Sequence, residues 1–94
     1  MLNIAVLVSG GGTNLQALLD AQARGEIPGG RITLVVASRP DAFALTRAEK
    51  AGVPTAVLRR KSFESQAQYA EALLSILREN EIGLVVLAGF MTLI

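Results

Sequence analysis

Residues 4–16 have the sequence IAVLVSGGGTNLQ, in which five apolar residues run directly into a serine and three glycines. A continuous apolar run of this length is typical of a strand buried on both faces of a parallel sheet. Thr13 stands three residues before Gln16, the spacing of a helix capping box, and three leucines then recur on one helical face. The stretch therefore predicts a first strand, a tight glycine turn and a helix that begins at this turn.

Strand and helix patterns alternate along the rest of the chain. We predict strands at Ile32–Ala37, Thr55–Leu58 and Leu84–Ala88, and a helix at Asp41–Ala51 that is ended by Gly52. A further helix, capped by Ser62 or Ser65, precedes the last strand. Its predicted buried stripe consists of Tyr69, Ala70, Leu73, Leu74 and Leu77. Right-handed crossovers then give an α/β fold, with a parallel sheet of order 3-2-1-4 and helices on both faces. The binding crevice of such a sheet lies beyond the carboxyl ends of strands one and four, where Ser9–Asn14 and Gly89–Ile94 meet.

Composition narrows the class of partner. The chain has 94 residues and a net charge of +1, which gives no field that would attract nucleic acid or a membrane surface. No segment reads as a signal peptide or a membrane anchor. Cysteine is absent, which excludes disulfides and thiolate metal sites and fits the cytoplasm, and histidine is absent, which removes the commonest general base. We expect a cytoplasmic protein with a small-molecule ligand and no metal.

The glycine turn is the first candidate site. A glycine-rich turn that opens a helix presents unpaired backbone N–H groups and the positive end of the helix dipole to an anion. We therefore predict a phosphate site at Gly11, Gly12, Thr13 and Asn14, although three glycines also suffice for a tight turn alone. The dinucleotide fingerprint fails because Leu15 replaces its third glycine and no acidic residue follows the second strand, and the Walker pattern lacks its lysine.

The end of the fourth strand is the second candidate. Met91, Thr92, Leu93 and Ile94 could line a pocket for a flat apolar ring, but composition alone favours core packing for Met91 and Leu93. The fourth strand is wholly apolar, and an unprotected apolar edge promotes association. Either the natural polypeptide continues past Ile94, or this edge pairs with another copy of the chain.

Two separated segments carry a family resemblance. IAVLVSGGGTNLQA at 4–17 and VVLAGFM at 85–91 closely resemble the phosphoribosylglycinamide formyltransferase family, and DAFAL at 41–45 and AGVPT at 51–55 also look like it. The resemblance covers the whole chain as the N-terminal half of a Rossmann-like, formyltransferase-type domain at residues 1–94. It implies transfer of a formyl group from 10-formyltetrahydrofolate to glycinamide ribonucleotide in purine biosynthesis.

The resemblance also assigns residues. The positions matching Gly12, Thr13 and Asn14 hold the ribonucleotide phosphate in the family. Those matching Met91, Thr92, Leu93 and Ile94 border the folate, which contradicts the interpretation of Met91 and Leu93 as core packing residues. The family has a folate-side arginine where Gln66 stands here. Its catalytic asparagine, histidine and aspartate follow the fourth strand and match no position of this chain, so we expect the chain alone to be inactive.

Two alternatives stay open from the sequence. A formyltetrahydrofolate hydrolase would share the fold, but its glycine turn departs from the Ser-Gly-Gly-Gly-Thr-Asn pattern. A non-catalytic phosphate-binding module that uses its fourth strand as a pairing edge is the other.

Overall fold

The structure is a computed structural model that describes residues 2–8, 13–38, 42–59 and 62–88. Its elements are β1 (Leu2–Val8), α1 (Thr13–Ala23), β2 (Gly30–Ala37), α2 (Phe43–Lys50), β3 (Thr55–Val57), α3 (Gln66–Glu79) and β4 (Leu84–Ala88). The strands form one parallel sheet of order β3-β2-β1-β4, which confirms the predicted topology. Strands β1 and β2 begin two residues earlier than expected, and α2 and β3 are shorter than expected.

Both faces of the sheet are packed, because side chains of the central strands alternate between them. On one face, Val6 and Val8 of β1 contact α1 and α2, whose buried side chains include Leu15 and Ala48. On the other face, Leu7 packs against α3. The helix pair therefore covers one face and α3 the other, as right-handed crossovers on both sides of β1 require.

A β-bulge at Thr33 sets which face each residue of β2 meets. Ile4 pairs with Ile32, but Ala5 pairs with Leu34, so Thr33 is the extra residue. Ile32 therefore points to the α1 face and Leu34, only two residues later, to the α3 face. The backbone N–H of Ile32 donates to the side-chain oxygen of Gln22 in α1, which ties the helix to the irregular part of the strand.

Helix α3 corrects part of the predicted stripe. Tyr69 and Leu73 are buried and Leu77 is partly buried, as expected. The Tyr69 ring meets Phe63 edge-on, with 5.6 Å between ring centroids and 83° between planes. Leu74, predicted to be buried, is instead 46% exposed, and Ile76 packs against the core on the α3 face. Ser65 is the N-cap: its hydroxyl accepts a 3.2 Å hydrogen bond from Gln68 N–H.

Candidate functional site

The carboxyl ends of the central strand β1 and of the edge strand β4 flank the candidate site. Val8, the last residue of β1, pairs with Ala37 of β2 and with Ala88 of β4. Strands β1 and β4 therefore end side by side, as the predicted crevice requires. The predicted phosphate residues Gly11 and Gly12, and the predicted folate residues Met91, Thr92, Leu93 and Ile94, lie outside the described residues.

Helix α1 carries the remaining predicted phosphate residues. Thr13 is its first residue, and Asn14 follows with an exposed side chain. Leu15 is fully buried under the sheet and fixes this first turn against the core. The first turn contains no acidic residue, so no carboxylate within it offsets the positive end of the helix dipole. The turn can therefore accept an anion.

Gln66, the position predicted on the folate side, opens helix α3 and is exposed. Because α3 follows β3, its start also lies toward the carboxyl edge of the parallel sheet. However, α1 and α3 cover opposite faces, so Asn14 and Gln66 do not share a face. The sheet edge is what the two predicted subsites have in common.

The first turn of α1 and the last turn of α2 are joined by a polar contact that the sequence did not predict. Arg47 of α2 donates a 3.1 Å hydrogen bond from a terminal guanidinium nitrogen to Gln16 Oε1, and Gln16 Nε2 donates at 3.0 Å to Asp20 Oδ1. The Arg47 guanidinium carbon lies 4.9 Å from the centroid of the Phe43 ring. The Gln16 side chain, which the sequence predicted as part of a capping box with Thr13, reaches along α1 to Asp20 and across to Arg47 of α2.

The comparisons with known proteins match the whole described sheet. The family described as "Formyl transferase" matches residues 2–94. The chain belongs to this formyl transferase family. It is 42% identical over 94 residues to a phosphoribosylglycinamide formyltransferase of Haemophilus influenzae, covering 100% of this chain and 44% of that protein.

Solved structures in the family have the same architecture. The glycinamide ribonucleotide transformylase 1 of Geobacillus kaustophilus superposes with a TM-score of 0.95 at 40% identity, over 100% of this chain and 50% of that one. That of Symbiobacterium toebii gives 0.93 at 43% identity, over 99% of this chain and 43% of that one. The Rossmann-like fold is thereby confirmed. The chain spans about half the length of these relatives or somewhat less.

Among the residues that the structure describes, no helix is both long and apolar enough to cross a bilayer.

Proposed function

We propose that this chain is the N-terminal, phosphate-binding half of an enzyme that transfers a formyl group from 10-formyltetrahydrofolate to the amine of glycinamide ribonucleotide, in purine biosynthesis. The observation that carries the proposal is membership of the formyl transferase family across residues 2–94. The names of the relatives, which are phosphoribosylglycinamide formyltransferases and glycinamide ribonucleotide transformylases, support the substrate.

In this proposal, Gly11, Gly12, Thr13 and Asn14 hold the ribonucleotide phosphate. Support comes from the start of α1 at Thr13 and from the lack of an acidic side chain in its first turn. Backbone N–H groups at a helix start bind phosphate because they have no partner within the helix. The exposed Asn14 side chain adds an amide donor.

Reduced folate is the second substrate that we propose. Met91, Thr92, Leu93 and Ile94 would border its ring system, and Gln66 would approach from the start of α3. Two observations support this: β4 ends beside β1, and α3 follows a strand whose carboxyl end lies at the same sheet edge. A glutamine can donate and accept hydrogen bonds but has no charge, so any contact to a folate carboxylate would be weaker than that of the family's arginine.

The reaction sets what the rest of such an enzyme must supply. The amine lone pair attacks the formyl carbon, the bond from that carbon to the folate nitrogen breaks, and the amine proton passes to the folate nitrogen. Hydrogen-bond donors must stabilise the oxyanion of the tetrahedral intermediate. The chain has no histidine, and the family's catalytic asparagine, histidine and aspartate match none of its positions. We therefore propose that the chain alone binds the ribonucleotide but does not catalyse formyl transfer. We also propose that it acts in the cytoplasm.

Calorimetric titration with glycinamide ribonucleotide tests the phosphate site, with inorganic phosphate as the reference ligand. We expect saturable binding that Gly12→Val abolishes, because a branched Cβ would intrude on the anion, while far-UV circular dichroism is unchanged. The control variant Ala23→Val places a valine side chain at the far end of α1, and it should bind the ribonucleotide as the wild type does. Intact binding by Gly12→Val would refute the assignment of the turn.

The alternative of a hydrolase is tested on the natural full-length enzyme. Formyl release from 10-formyltetrahydrofolate without any amine acceptor would support hydrolysis and exclude the transferase. Strict dependence on glycinamide ribonucleotide is the result we expect.

A further inference from the structure

The contact between α1 and α2 has a defined direction of hydrogen bonding. Arginine has no acceptor and an ionised aspartate has no donor. The Gln16 amide oxygen must therefore face Arg47, and its nitrogen must face Asp20, at the observed 3.1 Å and 3.0 Å. A chain of bonds that runs from a cation through an amide to an anion polarises each of its members and is stronger than neutral pairs. Gln16 is thus held in one orientation.

The Phe43 ring contacts the Arg47 side chain that makes this bond. The ring is 53% exposed and contributes little to the core. It lies one helical turn before Arg47 on the same face of α2, with the guanidinium 4.9 Å from its centroid. An aromatic face attracts a guanidinium and leaves its edge free to donate. The ring therefore supports the Arg47 side chain as it reaches across to α1.

We infer that Arg47 is a positioning residue for the ribonucleotide phosphate: acting through Gln16, it fixes the first turn of α1, whose N–H groups form the anion site. Gln16 lies in the first turn of α1, three residues after Thr13, so the two hydrogen bonds of its side chain add a restraint on the turn that carries Asn14. Arg47 touches no substrate in this scheme. The inference rests on the proposed function, and it predicts that contacts between two helices control the affinity for a ligand bound at one of them.

A double-mutant cycle on ligand affinity tests the inference. Arg47→Met and Gln16→Leu should each weaken binding of glycinamide ribonucleotide about tenfold, which corresponds to about 1.4 kcal/mol. The double variant should be no weaker than either single one, because both remove the same link. Gln16→Leu keeps the charge at position 47, so its loss of affinity separates positioning from long-range attraction. Arg78→Met, on the exposed last turn of α3, is the matched control and should bind as wild type.

Other results would overturn the inference. Arg47→Met with wild-type affinity would do so, and so would losses that multiply to about a hundredfold in the double variant. If the wild-type chain does not bind the ribonucleotide, the proposed phosphate site fails, and backbone amide NMR shifts of Asn14 and Leu15 decide the positioning role. Larger shifts in Arg47→Met than in Arg78→Met would support it, and equal shifts would refute it.

Discussion

Leu73 and Leu74 are neighbours in α3, and they show how one position on a helix decides burial. Leu73 follows Tyr69 by four residues and lies on the same face, where both are buried. Leu74 lies roughly 140° around the helix from Tyr69, since each residue advances the helix by about 100°. Its side chain is therefore 46% exposed, although leucine is a residue type typical of protein cores.

The two leucines make a matched pair for a stability measurement. Leu73→Ala should lower the free energy of unfolding by about 2–5 kcal/mol, because it removes buried methyl groups and leaves a cavity. Leu74→Ala changes the same chemical group in the same helix and should stay within about 0.5 kcal/mol of wild type. Urea denaturation followed by circular dichroism measures both. Equal losses would mean that the buried face of α3 is wrongly assigned.

At the scale of elements, the three helices that the structure describes end in the same way. The residue after each C-cap has a positive φ: Gly25 after α1, Gly52 after α2 and Glu81 after α3. In each case the next residue's N–H bonds back by five residues, as Val53 does to Ala48 at 2.9 Å. This is the Schellman motif, in which glycine is preferred because the left-handed conformation crowds a Cβ. Glu81, with φ of 54°, is the exception.

Replacing Glu81 should therefore stabilise the protein. Glu81→Gly removes the left-handed strain, and part of this gain is offset by the greater freedom of glycine in the unfolded chain, so we expect a net gain of about 0.5–1 kcal/mol. Gly25→Ala is the reverse change at the equivalent position and should cost about 1 kcal/mol. No atom lies within 4 Å of a Cβ built on Gly25, so the cost would be conformational. Thermal unfolding should show opposite shifts of a few degrees, and shifts of the same sign would contradict the strain argument.

The sequence predicted these elements well and their irregularities poorly. Hydrophobic periodicity located each strand and helix of the described residues, and Gly52 correctly marked the end of α2. The bulge at Thr33 was not predicted, because IleThrLeuValVal reads as one continuous strand and nothing in its composition shows which residue lacks a partner. The Gln16–Arg47 bond was also missed, since it joins residues 31 apart whose helices become neighbours only after the sheet forms.

At the scale of the whole molecule, the strand order was predictable because crossover handedness leaves few alternatives. The same order makes β3 and β4 the two edge strands of the described sheet. At one edge, β3 is only three residues long, which limits pairing. At the other, β4 exposes Leu84, Val85 and Leu87. For the site, the sequence predicted the sheet edge and a helix that starts at Thr13; the ligand roles of Asn14 and of the other site residues stay predictions.

The apolar β4 edge leads to a prediction about association of the 94-residue chain. One side of β4 pairs with β1, and Leu87 on this edge strand is 61% exposed. We expect a second copy to cover this strand, because burying apolar side chains and pairing free backbone groups both favour contact. Sedimentation velocity should show a concentration-dependent dimer that Leu87→Lys shifts to monomer. Val57→Lys, which places the same charge on the opposite edge at β3, should leave the dimer intact. A wild-type chain that stays monomeric at every concentration would show that no second copy covers β4.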